Sequence, residues 1–298
     1  MNEKRKRYGE DHWIRSYDPE KALAAYMDQQ SKAYSQVKNA LLRELLGDLS
    51  GKRFLDYGCG GGAFTVYAAH QGAARVVGVD AEKTVLATAR YYARKEGVDG
   101  LCQFICSDQF PRFPVHSRFD VVLMKDVIEH VRDDRALLED VAEAVAPGGL
   151  LVISTQNSFS LNYLVQGTYH RIIQGDENWY GWDPTHVRFY TPMSLKRKLK
   201  EAGFKSVAWR SAYIIPYKLP ALPWTGKEFF RIDSLSWIDR TLGRVSPYNR
   251  LGWNIMVKAR ASRRAPEMIA SKNKLREDLP PLALPVTRSI TPSRTVIL

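Results

Sequence analysis

The densest group of chemically useful residues is Asp56-Tyr57-Gly58-Cys59-Gly60-Gly61-Gly62, four glycines in five positions preceded by a carboxylate. Without side chains, the glycines let backbone amides approach a ligand, and a helix starting just beyond them points its N-terminus at it. The spacing Gly58-x-Gly60-x-x-Ala63, with Asp80 about 20 residues on, fits a dinucleotide fingerprint. The glycines alone leave that reading open.

Three carboxylates separate the possibilities. Asp56, two residues before the first glycine, suits a ligand with a cationic ammonium and would repel a pyrophosphate. Asp80, ending the run Val76-Val77-Gly78-Val79, can accept from both hydroxyls of a ribose, and it disfavours a 2′-phosphate. Asp108, after Ile105-Cys106-Ser107, is placed to accept from the exocyclic amine of adenine, with the backbone amide of Gln109 available to a ring nitrogen. Each carboxylate alone could cap a helix. At successive strand ends they describe a nucleoside bearing an amino acid, S-adenosylmethionine (SAM), with Cys59, Gly60, Gly62, Ala81 and Lys125 among the expected contacts.

These residues need a particular scaffold. Short β-rich runs at 53–57, 75–79, 101–107, 119–124 and 149–154 alternate with helical stretches at 62–71, 82–96 and 133–145. Repeated β-α units predict a parallel, doubly wound sheet with helices on both faces and a ligand site at the carboxyl ends of its strands. A helix at 192–203 and strands at 204–212 and 252–259 follow. Apolar spacing at 19–46 predicts one or two helices packed over the sheet edge or the cofactor. Two aromatic-rich insertions, about 157–190 and 214–249, interrupt the pattern.

With these motifs in this order, the chain resembles the class I SAM-dependent methyltransferases over about residues 40 to 260. The resemblance rests on Leu55-Asp56-Tyr57-Gly58-Cys59-Gly60-Gly61-Gly62, Gly78-Val79-Asp80, Ser107-Asp108, Phe119-Asp120-Val121-Val122 and Pro147-Gly148-Gly149. It implies a Rossmann-like, seven-stranded, mostly parallel sheet whose last strand is antiparallel. Asp56 and Gly58 would hold the methionine moiety, Asp80 the ribose and Asp108 the adenine.

Methyl transfer from a sulfonium requires alignment of a nucleophile and exclusion of water, with acid-base help where the nucleophile is a hydroxyl, a neutral amine or a carbon acid. The segment Lys125-Asp126-Val127-Ile128-Glu129-His130 looks like the quinone O-methyltransferase branch, related to ubiquinone biosynthesis enzymes. There a comparable acid-x-x-Glu-His segment has been associated with a divalent ion. Asp126, Glu129 and His130 converge if the segment forms a helical turn, although a carboxylate beside neutral imidazole is more often an orienting pair than a metal site. His130 is thus a candidate base or substrate contact, with a structural hydrogen bond as the alternative. His186, in a His-x-Arg-Phe-Tyr-Thr-Pro run similar to that branch's, is the second candidate. Arg188 is expected to pair with Asp183 or Glu177 rather than with an acidic substrate. The insertions are expected to form a lid over a small apolar or aromatic acceptor, with an extra core or an oligomer interface as the alternative.

At 298 residues and 45% apolar content, the chain suits one enlarged α/β domain at about 51–260, with a helical segment at 1–50 and a basic tail at 261–298. The net charge of +12 suggests nucleic acid, but nine Lys and Arg against three Asp and Glu lie from Lys258 onward, so half the excess sits on the tail. That tail reads as disordered and solvated. No Asn- or Asp-Pro-Pro-aromatic segment follows the fourth strand and no Pro-Cys nucleophile appears, which disfavours nucleic-acid methylation. A protein or RNA methyltransferase, a non-catalytic SAM-binding scaffold and an NAD-dependent oxidoreductase remain the competing readings. Apolar stretches fall short of the roughly 20 residues of a membrane span, and no secretory signal is evident, so a cytoplasmic location is expected. Three cysteines, Cys59, Cys102 and Cys106, indicate neither disulfide framework nor structural zinc, and the latter two are expected in the core.

Overall fold

The computed structural model describes residues 12–107, 118–177, 179, 181, 183, 185–220 and 229–262. Asp108, Gln109 and the chain beyond Ser262 lie outside the described residues.

Among the described residues nine strands are formed: β1 Arg53–Tyr57, β2 Arg75–Asp80, β3 Cys102–Cys106, β4 Phe119–Lys125, β5 Val145–Gln156, β6 Phe204–Ala212, β7 Lys218–Pro220, β8 Phe229–Arg231 and β9 Asn254–Ala261. Seven make one sheet in the order β3-β2-β1-β4-β5-β9-β6. Neighbours from β3 to β5 are parallel, and β9, the last strand, runs antiparallel to both β5 and β6. Strands such as Val121-Val122-Leu123-Met124 are apolar without alternation because helices cover both faces.

On one face pack α5 (Asp134–Ala144) and α7 (Pro192–Glu201), through Leu137, Leu138, Val141, Leu195 and Leu199. On the other pack α2 (Ala33–Leu46), α3 (Ala63–His70) and α4 (Lys83–Lys95), through Leu41, Leu42, Leu45, Phe64 and Ala93. Ahead of α2 lies α1 (Pro19–Ser31), where the Asp18 carboxylate caps two backbone amides and Pro19 takes the first turn. Extended backbone at Lys32 divides the N-terminal helical stretch into two. The order in which successive strands are added reverses between β1 and β4, which opens a crevice at their carboxyl ends.

Both insertions reach the crevice, through Asn162, Gln166 and Asp183 of the first and Tyr217 and Asp233 of the second, and aromatics of the first also form a cluster of their own. The first contains α6 (Leu161–Thr168) and a π-helical turn at Tyr169–Ile173. Its aromatics largely pack on one another: Tyr163, Trp179 and Phe189 surround Trp253, with Trp179 stacked on His170. They make an extra aromatic core, since rings that can bury one another gain more than rings facing an open cavity. The second insertion holds the β7–β8 ribbon and α8 (Ser236–Leu242). Cys102 is only half-buried and Cys106 is exposed, contrary to the expectation of core positions, because β3 is the edge strand.

The end of the first insertion returns across the strand ends, with Tyr190 donating its backbone N–H to Gln156 and Ser158 donating to Tyr190. Buried Asp134 fastens it. That carboxylate accepts from the Tyr190 hydroxyl at 2.7 Å and Lys198 at 2.9 Å, and pairs with Arg188 at 2.7 Å. Arg188 therefore joins Asp134 rather than Asp183 or Glu177. Burial alone would raise the Asp134 pKa, but these partners bring it below the usual carboxylate value. Removing one member of a buried charged network strands the others, so Asp134→Ala should destabilise the fold by about 3 kcal/mol in urea denaturation. A loss below about 1 kcal/mol would contradict this placement.

Candidate functional site

The glycine turn is built by β1 and β2 together. Gly58 and Cys59 both donate backbone N–H groups to Val79, at 2.8 and 2.9 Å. Gly60 donates to an Asp80 oxygen at 3.0 Å, and Glu82 donates to the other at 3.2 Å. Asp80 thus shapes the turn, and burial raises its pKa. Gly58 has φ +72°, and a Cβ there would lie 2.3 Å from Val127 Cγ2. Neither the backbone angle nor the space admits another residue. From above, α1 lays Tyr26 against Gly61, and Trp13 packs on Tyr26 at 4.8 Å.

A cavity of about 570 Å³ extends from this turn. Asp56, Gly58, Cys59, Gly60 and Lys125 line one end, and Lys38, Asp126, His130 and Tyr213 continue the wall. Ala81 stands exposed just beyond Asp80. Of the expected adenine contacts, Asp108 and Gln109 fall outside the described residues.

The charges in this cavity are arranged in opposition. Burial pushes the Asp56 carboxyl up to about 6, opposed by the Thr65 hydroxyl, which donates to it at 2.8 Å, and by Lys125. Burial lowers Lys125 to about 8, reinforced by the Lys38 charge and opposed by Asp126 and Asp56. Lys38, reaching in from α2, forms an ion pair with Asp126. Its place in an otherwise ordinary helix carries no sequence signal, and only the tertiary packing reveals it.

Asp126 adopts φ +54°, and its carboxylate also accepts from Ser154 Oγ at 2.8 Å and Asn254 Nδ2 at 3.1 Å. Burial would raise its pKa, but Lys38 and Lys125 hold it well below the usual carboxylate range. Glu129, fully buried, behaves oppositely: burial and the nearby Asp126 charge raise its pKa. One Glu129 oxygen accepts from Thr155 Oγ1 at 2.8 Å, and Oε1 has no hydrogen-bond partner among the described residues.

The Asp126-Glu129-His130 group expected from the sequence does not assemble, because Asp126 is committed to Lys38, Ser154 and Asn254. Glu129, His130 and His186 instead bring one ligand atom each within 4.8 Å of one another. Two imidazoles and one carboxylate are a donor set of zinc type rather than the all-oxygen set preferred by magnesium or calcium.

His130 is oriented by a relay of hydrogen bonds. Thr185 Oγ1 donates to Asp183 Oδ1 at 2.5 Å and lies 2.9 Å from His130 Nδ1. With its proton given to a carboxylate, the Thr185 hydroxyl can only accept, which puts a proton on His130 Nδ1 and leaves Nε2 with a lone pair. His130 lines the cavity. His186 packs edge-on against it at 4.7 Å between ring centres and is not part of the cavity wall. The two candidate histidines are brought together, one at the cavity and one behind it.

A seven-stranded sheet of this order, with a glycine turn at the switch point and a carboxylate ending the second strand, defines a Rossmann-like SAM-dependent methyltransferase. Comparison with known proteins agrees. Residues 27–208 match the family model described as a methyltransferase domain, and the chain belongs to that family. It is 34% identical over 178 residues to the ubiquinone biosynthesis O-methyltransferase of Idiomarina loihiensis, covering 57% of this chain and 68% of that protein. To the protein of the same name from Aeromonas salmonicida it is 35% identical over 161 residues, covering 53% and 64%. The chain thus spans about two thirds of the length of these relatives. Among solved structures, the fold is shared with magnesium protoporphyrin IX methyltransferase of Synechocystis PCC 6803, at TM-score 0.51 and 16% identity, covering 77% of this chain and 86% of that one. A SAM-dependent methyltransferase of Mesorhizobium loti matches at TM-score 0.50 and 22% identity, covering 75% and 97%.

Two expectations follow from the geometry. Gly58→Ala should weaken S-adenosylhomocysteine binding at least tenfold by calorimetry, and unchanged affinity would contradict the tight turn. Binding should also depend on pH at both ends. Asp56 attracts an ammonium only when ionised, so affinity should rise as pH climbs through about 6. Lys125 attracts a carboxylate only when protonated, so affinity should fall beyond about 8. A flat profile from pH 5 to 9 would remove these two groups from the cofactor site.

Proposed function

We propose that this chain, a SAM-dependent methyltransferase, transfers the methyl group to a hydroxyl oxygen of a small aromatic acceptor. The observation that carries the choice of oxygen is His130, which lines the cavity holding the glycine turn and whose Nδ1 is occupied by the Thr185–Asp183 relay, so that Nε2 is the nitrogen free to act as a base in the neutral imidazole. A hydroxyl is a poor nucleophile until its proton is removed, and a positioned imidazole supplies that step. The names of the curated relatives support the same reading.

In this scheme Asp56 receives the methionine ammonium, and Lys125 and Lys38 draw its carboxylate. Asp80 takes the ribose hydroxyls, and Cys59, Gly60, Gly62 and Ala81 complete the wall. We assign adenine to Asp108 and Gln109 on the sequence pattern alone. The sulfonium supplies an activated methyl group. His130 takes the acceptor proton, while His186 and Thr185 hold its ring. The domain at 51–260, closed above by the helical segment within 1–50, limits water at the reacting atoms. Among the described residues no helix is long and apolar enough to cross a membrane. A cytoplasmic location is part of the proposal, on the strength of three free cysteines.

The test is transfer of labelled methyl from SAM to a panel of alkyl-substituted phenols and catechols, with the product's linkage determined by mass spectrometry. Methyl ethers should form. His130→Ala should lower turnover about 100-fold or more with cofactor affinity unchanged, while His186→Ala should have a smaller effect. Transfer confined to nitrogen or carbon, or full activity without His130, would overturn the assignment.

A further inference from the structure

The helix α6 is amphipathic in the reverse sense. A surface helix ordinarily turns its apolar side to the core and its polar side to water. In α6 the polar side is the inner one: Asn162 is buried, Gln166 donates to its side-chain oxygen at 2.9 Å, and both residues line the cavity. The outer side carries Leu161, Leu164 and Val165, and the π-helical turn that follows continues it with Tyr169 and Ile172. Steps of three and four residues put these side chains in one stripe. With Phe159 just ahead of the helix, the six are between 47% and 77% exposed.

A single exposed apolar residue is ordinary, but a contiguous stripe of them marks a surface that meets something. Charge and position say what it meets. From Phe159 to Gly175 there is no Asp or Glu, and the one arginine there, Arg171, is engaged with the Trp179 carbonyl at 2.9 Å and lies over the Tyr163 ring. The chain as a whole carries a net charge of +12, half of it from Lys258 onward. That charge opposes the approach of a second copy and draws the chain to an anionic lipid surface. With eight residues, α6 is too short to span a bilayer but can lie in its interface with the apolar side down. Tyrosine, present at Tyr169, is a residue that favours that level.

We propose that the outer side of α6 and the turn after it seat this chain on an anionic phospholipid bilayer, and that the cavity behind α6 receives a methyl acceptor dissolved in that bilayer. Because one side of the helix forms cavity wall and the other meets lipid, an apolar acceptor is spared a passage through water. The part concerning the acceptor rests on the O-methylation reading, and the docking surface does not.

The experiment compares the full chain with a variant carrying Leu164→Gln, Val165→Gln and Ile172→Gln, all at exposed positions, so the melting temperature should not fall. Cosedimentation uses vesicles of equal parts phosphatidylglycerol and phosphatidylcholine, with pure phosphatidylcholine as the neutral probe. The unaltered chain should bind the mixed vesicles about tenfold more tightly than the neutral ones, and the variant should lose about tenfold on the mixed vesicles. S-adenosylhomocysteine affinity and methylation of dissolved catechol should stay within about twofold, while methylation of a long-chain alkylcatechol held in the mixed vesicles should fall about fivefold or more. Absence of vesicle binding overturns the proposal. So does binding that the variant retains in full, which would rest on charge alone. A dimer in sedimentation velocity that the variant makes monomeric, with no vesicle binding, would give the stripe to a second copy and also overturns it. Vesicle binding that is lost in the variant, with neither catechol methylated by the unaltered chain, would support the docking surface and remove the O-methylation reading.

Discussion

The site depends on a buried ion pair, Lys38 with Asp126, at the floor of the crevice. Asp126 stands one residue past the end of β4, in a left-handed turn that its own hydrogen bonds hold in place. Through Lys38, Ser154 and Asn254 it ties α2, β5 and β9 to the centre of the sheet. A single carboxylate thus sets where the N-terminal helices sit relative to the glycine turn, and so how the cofactor end of the cavity is closed. Without its partners a charge at this depth would be very costly. Its partners instead keep it ionised, and that charge helps keep Glu129, three residues on, protonated. Two carboxyl groups in one short segment are pushed to opposite protonation states by their surroundings.

The same arrangement separates the two tasks of the cavity. Asp56 and Lys125, with pKa values displaced toward neutrality by burial, form a pair suited to a zwitterionic amino-acid moiety. His130 is held separately, by its own relay to Thr185 and Asp183. A positioned base and a positioned donor in one enclosed space are what transfer from a sulfonium requires of a protein.

Most of the sheet was readable from residue order. β1, β2 and β4 lie at or within a residue of the apolar runs in the sequence, because strands buried on both faces must be apolar throughout. The glycine turn was readable because only glycine fits positions such as Gly58. What sequence could not show were partnerships across long separations. Lys38 looks like a solvent-facing helix residue. Thr185 carries no signal of its contact with His130, 55 residues away. Arg188 had nearer acids in sequence than Asp134, yet the fold delivers Asp134. Aromatic content suggested a lid, but composition does not say whether rings face a cavity or one another, and Tyr163, Trp179 and Phe189 pack together around Trp253.

The most direct measurement of the central claim is a crystal structure with S-adenosylhomocysteine bound. The account predicts the amino-acid ammonium at Asp56, its carboxylate at Lys125 and Lys38, the ribose at Asp80, and the sulfur facing the cavity that His130 lines. A cofactor bound with its amino-acid end away from Asp56 and Lys125, or with its sulfur turned from His130, would contradict it.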